Sequence, residues 1–306
     1  MLSYVLRRFA GLIPTLIIIV TVSFLILRLA PGGPFDQEQT LSPAVRANLA
    51  RAYGLDQPLL SQYLTYLRRL AHGDLGTSLR ERDFSVNELI REGLPVSASL
   101  GAAALLLALL AGIPAGVLAA LRHNRLPDYG IAAASALGLA LPSFVTGPLL
   151  ALVFGVTLHW LPVAGWGGGP RFLVLPAVTL AVPVAATLAR LTRASLLEVL
   201  RAPFIRSARA RGLGGARVLL RHALPPALLP VMSYLGPAIA FIVTGSLVVE
   251  SVFGLPGTGR YLVQGAIERD YPLVMGMIIV YAVLTLLLNF LVDLLYGWLD
   301  PAVRRA

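Results

Sequence analysis

The chain has 306 residues, 57% of them hydrophobic and 13% charged, against roughly 45–50% apolar and about 25% charged in soluble domains. This excludes a soluble domain with an oversized core, because several uncharged stretches reach the ~20 residues needed to cross ~30 Å of hydrocarbon at ~1.5 Å per residue. All 25 basic residues behind the net charge of +10 are arginine, and the absence of cysteine excludes disulfides and thiolate metal sites.

Arg7 and Arg8 precede an uncharged run from Phe9 to Leu27. That run is longer than the 7–15 residues of a signal-peptide core, and a cut after Ala30 would put Arg28 where a small residue is needed. The stretch is expected to stay as a first span. Six spans are expected in all, near 9–29, 94–121, 129–158, 172–189, 224–249 and 272–295, giving an all-α, polytopic membrane protein in a single permease domain over 1–306. The fourth is the shortest and carries Pro176 and Pro183.

Between the first two spans, residues 31–93 read as short helices lying on the outer face. Ser42-Pro43 offers an N-cap with proline at the first helical position, and Gly54 ends that helix. Leu59, Tyr63, Tyr66, Leu67 and Leu70 follow at helical spacing, and Ser85-Val86-Asn87-Glu88 reads as a capping box. The segment either covers the span ends or docks a partner. Gly112 and Gly116 bring a GxxxG spacing to the second span, for packing within the subunit or against a second one.

Orientation follows from arginine, because cytoplasmic loops carry the positive excess. With the N-terminus inside, the inner segments hold fourteen arginines against three acids, and the outer ones eleven against eleven. Both termini are expected in the cytoplasm. Arg28, Glu250 and Asp293 lie near span ends and take structural roles: Arg28 snorkels, Glu250 caps the outer end of the fifth span, and Asp293 meets an inner arginine. Without buried titratable groups deeper in the spans, a proton-coupled secondary transporter or channel is disfavoured.

An intramembrane enzyme is disfavoured too. His72, His123, His159 and His222 are scattered without ligand spacing, no GxSxG elbow occurs, and a GxxxxGK[ST] phosphate loop needs a lysine that is absent. The arginines mark topology rather than a nucleic-acid footprint.

The inner loop, 190–223, carries eight arginines. Pro203 suits a first helical position, the run to Arg211 has no breaker, and Gly212-Leu213-Gly214-Gly215 interrupts it. A second run from Ala216 leads into Pro225-Pro226. The reading is helix, glycine turn, helix: a knob below the membrane. Phe204, Ile205 and Ala208 form its apolar side, with Phe204, Ile205 and Leu213 open to the cytoplasm, a surface that calls for a partner.

These residues resemble the permeases of binding-protein-dependent ATP-binding-cassette (ABC) importers, whose EAA loop has the form EAA-xxx-G-x(9)-I-x-L-P. Gly212, nine residues, then His222-Ala223-Leu224-Pro225 fit the spacing, while Arg206-Ser207-Ala208 stand at the EAA positions and His222 replaces isoleucine. The run from Arg206 to Gly212 is similar to the RTARAKG-like form of the peptide-permease branch. Leu29-Ala30-Pro31-Gly32, His72-Gly73-Asp74-Leu75-Gly76, Arg190-Leu191-Thr192-Arg193, Phe253-Gly254-Leu255-Pro256-Gly257 and Val292-Asp293-Leu294-Leu295-Tyr296 resemble the same branch. Leu158-His159-Trp160-Leu161-Pro162 and Arg221-His222-Ala223-Leu224 are similar to the first membrane subunits of oligopeptide permeases.

The resemblance implies a type I importer permease in the bacterial inner membrane, without an ATPase site of its own. It implies a second related permease forming a heterodimer, two cytoplasmic ATPases that bind ATP and Mg, an extracytoplasmic binding protein, and a peptide cargo. Relatives carry dipeptides, nickel complexes, glutathione or oligosaccharides. Arg206, Ser207, Ala208, Arg209, Gly212, Leu224 and Pro225 would form the coupling element. No cofactor or metal site is expected in this chain.

Overall fold

In a bilayer the backbone has to satisfy its own hydrogen bonds, and this chain does so with helices. The computed structural model describes residues 2–29, 44, 45, 48, 51, 54–81 and 84–299; among them the sole β feature is an isolated bridge between Thr77 and Ser85. Inner and outer sides are named here from the arginine distribution. Among the described residues five helices are long and apolar enough to span, and a bent pair brings the number to six when it is taken as one span.

Helix α1 (Leu2–Leu29) turns Ile13, Ile17, Ile18 and Ile26 outward and buries Val20 and Phe24 against Met275 and Ile279. Helix α2 (Leu59–Ala71) covers that contact from outside with Tyr63, Tyr66, Leu67 and Leu70, and the Tyr63 hydroxyl lies 2.6 Å from the Thr21 hydroxyl. Its expected apolar stripe thus covers span ends. Arg28 does not snorkel away: its guanidinium stacks over the rings of Phe24 (5.5 Å) and Tyr271 (5.2 Å). The helix expected from Ser42-Pro43 lies mostly outside the described residues, as do the Asp293 side chain and the end beyond Leu299.

The capping box forms as read, Ser85 N–H donating to the Glu88 carboxylate (2.8 Å) and Glu88 N–H to Ser85 Oγ (3.2 Å). It starts α3 (Val86–Leu121). The preceding loop is fastened by buried Asp270, whose carboxylate accepts from the Ser78 hydroxyl and from Leu79 N–H (2.9 Å). Arg80 donates to the Glu268 carbonyl (3.2 Å).

The third crossing is not the single helix expected over 129–158. Helix α4 (Leu126–Ala140) meets α5 (Ser143–Leu150) and its π-helical continuation (Ala151–Thr157) at 108°. Pro142 is the cause. It forces Leu141 out of the helical region, to φ −88°, ψ 117°, and itself lies at ψ 148°.

Helix α6 (Arg171–Leu200) runs eleven residues beyond the expected span end at 189, and Pro176 and Pro183 do not stop it. Charge ends a span, not a helix: nothing between Arg190 and Leu200 breaks helical structure. Two residues later comes α7 (Pro203–Ala210). After it the chain passes through a turn of helix (Gly215–Arg217), a π-helical stretch (Val218–Ala223) and a short helix (Leu224–Ala227) into α8 (Leu229–Phe253). The expected fifth span starting at 224 therefore begins at 229, beyond Pro225 and Pro226, which supply no backbone donors.

Glu250 was expected to cap its own helix end. Instead its buried carboxylate accepts from Gly259 N–H (2.7 Å) and caps the next helix, α9 (Thr258–Glu268), before α10 (Tyr271–Leu299) completes the fold. A Cβ on Gly259 would lie 2.7 Å from that carboxylate, which explains glycine there.

The centre is the crossing of α3 with α6. A Cβ added at Gly112 would stand 2.7 Å from the Ala185 carbonyl, and one at Gly116 2.5 Å from that of Ala189. Both glycines are consumed by packing within the chain, so this GxxxG face is closed to a second subunit. Around it Leu100, Ala104, Ala108, Leu180, Val184 and Leu188 pack with Ile242 and Phe253 of α8.

Replacing Gly116 with valine should overpack this crossing and destabilise the fold by about 1–3 kcal/mol, lowering Tm in a detergent thermal-shift assay. Gly11→Ala, with open space around the added methyl group, should leave Tm unchanged.

Candidate functional site

The arginine-rich segment folds as the knob expected, but anchored differently. Pro203 sits in the first turn of α7, where its missing N–H costs nothing. The helix ends in a Schellman motif: Gly212 N–H donates to the Arg209 carbonyl (2.9 Å) and Leu213 N–H to that of Ala208 (3.4 Å). The motif needs a left-handed residue, and Gly212 supplies it at φ +77°.

Ile205 and Ala208, one turn apart, are fully buried against Ala120 of α3, Leu196 of α6, and Val218, Ala223 and Ala227 of the return segment. Leu213 packs on the same cluster. Ile205 and Leu213 are thus not open to the cytoplasm as the sequence suggested, because α7 lies against its own stem rather than hanging free. Phe204 is 48% exposed. Arg206, Ser207, Arg209 and Gly212 are exposed too, on the side away from the stem.

The expected coupling residues therefore divide. Arg206, Ser207 and Arg209 face outward, Ala208 is an internal anchor, Leu224 is half-buried in the return segment, and Pro225 is exposed. In the π-helical return, Leu224 N–H donates to the Leu219 carbonyl five residues back. This wider turn sits just before two residues that lack an N–H.

One inner feature escaped sequence reading. Asp128, in the first turn of α4, is buried, and both of its oxygens accept from the Arg193 guanidinium of α6, through Nε to Oδ1 and Nη2 to Oδ2 (2.8 Å). Asn124 N–H adds a third bond (2.9 Å), and His123 Nδ1 lies 3.3 Å from Oδ2. The signal available was an acid set among inner arginines; sixty-five residues separate the partners, and no periodicity spans that gap.

The profile of the family "Binding-protein-dependent transport system inner membrane component" matches residues 112–305, and that of the N-terminal membrane component of the same systems matches residues 1–101. The chain belongs to this family. It is 51% identical over 305 residues to the oligopeptide transport system permease protein OppB of Escherichia coli K12, covering 99% of this chain and 100% of that one. It is 48% identical to OppB of Haemophilus influenzae, with the same coverage. With the dipeptide transport system permease protein DppB of Bacillus subtilis it shares 41% over 304 residues, 99% of this chain and 98% of that one. Among solved structures, an inward-facing form of the MetNI methionine ABC transporter matches with TM-score 0.57 and 18% identity, over 69% of this chain and 96% of the other. That likeness speaks for the fold alone.

The division of α7 into anchor and outward stripe is open to test. In inverted vesicles, single cysteines at Phe204, Ser207 or Arg209 should react readily with an impermeant maleimide. Cysteines at Ile205 or Ala208 should be protected until the protein is unfolded.

Proposed function

We propose that this chain is a membrane-spanning subunit of an ABC importer for oligopeptides, lying in the bacterial inner membrane with both termini in the cytoplasm. It forms half of the translocation path beside a second, related permease. Two separate ATPases dock from the cytoplasm, and an extracytoplasmic binding protein delivers the peptide to the outer face. Similarity to oligopeptide permeases over the full chain supports the cargo.

The observation that carries the reading is the knob: a helix fixed to the stem by Ile205 and Ala208 while Phe204, Arg206, Ser207 and Arg209 point away from it. Exposed apolar and cationic groups on a rigid support suit a socket on a partner. Arg206, Ser207 and Arg209 meet the ATPase; Gly212 sets the turn; Ala208, Leu224 and Pro225 hold the return segment in place. Exposed ion pairs contribute only ~0–1 kcal/mol each, so shape and the Phe204 contact weigh more than any one arginine.

ATP and Mg stay with the ATPases, since this chain has no lysine with which to build a phosphate loop. ATP binding draws the ATPases together, the two knobs move with them, and the spans open outward. Such coupling requires knob contacts that differ in strength between the two states. Spans poor in charge suit peptides of varied side chains, with selectivity resting on the binding protein. A dipeptide cargo is the second reading, favoured by the 41% identity to a dipeptide permease.

In proteoliposomes carrying both permeases and the ATPases, oligopeptide uptake should require ATP on the ATPase side and binding protein on the other. Gly212→Pro should spare assembly and ATP hydrolysis but cut uptake about tenfold, the equivalent of ~1.4 kcal/mol of coupling. Normal uptake by this variant would remove the turn from the coupling path.

A further inference from the structure

The inner end of α4 has a polar attachment to α6. Higher up, the two helices touch closely: a Cβ at Gly138 would lie 3.0 Å from Val182 Cγ1 and 3.4 Å from Ala186 Cβ. Beside this contact lies a gap of about 860 Å³, lined by Ile131, Ser135, Leu139, Thr187 and Leu191 together with Asp128 and Arg193. At the inner end the bidentate pair ties the two helices together. Asp128 is fully buried and turns both oxygens to one guanidinium, a geometry that fixes direction as well as distance.

Arg193 also stands on the stem of the knob. It lies on α6 one turn before Leu196, whose side chain is buried in the cluster that holds Ile205 and Ala208 of α7. One path from the outward stripe of α7 to the inner end of α4 therefore runs through the Ile205 and Ala208 anchor, the end of α6, and the ion pair.

We propose that Asp128 and Arg193 are positioning residues that form a strut, making the inner half of the broken third span move with the knob. The inference rests on the reading of α7 as the ATPase-docking element. In it, the Pro142 bend lets α4 follow α6 while α5 stays with the outer half. Displacement of α7 then becomes displacement of the inner half of the third span, not of the stem alone.

The test uses the assembled importer with its binding protein. Asp128→Asn and Arg193→Gln should each leave ATPase co-purification intact and basal ATP hydrolysis within about twofold, while peptide imported per ATP falls about fivefold. The double variant should be no worse than either single one, because both remove the same contact. Arg193→Lys, which keeps the charge and loses the fork, should fall between.

The cysteine-free chain also permits spin labels at Leu126→Cys, on the exposed inner end of α4, and Ser207→Cys. Their separation should stay the same between nucleotide-free and ATP-trapped complexes, and should shift or broaden on trapping once Asp128→Asn is added. Unchanged coupling in both single variants, or a 126–207 separation that changes with nucleotide when Asp128 is present, overturns the strut. Loss of ATPase docking in variants of the α7 outward stripe would be needed to support the docking reading itself, so its persistence there would fail that reading rather than the strut.

Discussion

The structure depends on the close approach of α3 and α6. Two glycines a turn apart let the backbones meet so tightly that a methyl group at either would collide with a carbonyl or Cβ of the facing helix. In lipid this contact is a matter of packing, since helices gain nothing from leaving an equally apolar solvent. Of the five single-helix spans among the described residues, α6 is the most enclosed, with 56% of its apolar window buried. Because α6 continues past the membrane to Leu200, the glycine crossing also sets the position of everything suspended beneath it.

The knob beneath is built by a division of labour along eight residues. Ile205 and Ala208, three apart, share one face and go inward; Arg206, Ser207 and Arg209 are left outward. The Schellman ending satisfies the last carbonyls and folds Leu213 back onto the anchoring cluster. The result is a short helix with little freedom to drift relative to its stem. Rigidity of this kind lets a force applied to an exposed stripe reach the spans, whereas a flexible arginine-rich loop would absorb it.

Much of this was legible in the sequence. Six crossings, the capping box at Ser85, the amphipathic outer helix, the α7 boundaries and the Gly212 turn all follow from local patterns of charge, apolar spacing and breakers. Five features were not. The bend at Leu141-Pro142 hides in an uncharged stretch, where hydropathy reports length but not direction. The extension of α6 was concealed because Arg190 marks the membrane boundary and says nothing of helix continuity. Burial of Ile205 depended on where α7 leans, which the tertiary contact with Ala120 and Leu196 decides. The Asp128–Arg193 pair and the capping of α9 by Glu250 share the same obstacle: each joins separate elements, which neither charge counting nor local position relates.

The most direct test of the central claim is site-directed cross-linking between α7 and the ATPase in the assembled importer. Starting from a chain with no cysteine, single cysteines at Phe204, Ser207 and Arg209 should each give a covalent adduct of permease with ATPase, while one at the buried Ala208 should not. Absence of adducts from all three outward positions, in complexes shown to be folded and assembled, would contradict the assignment of α7 as the docking element.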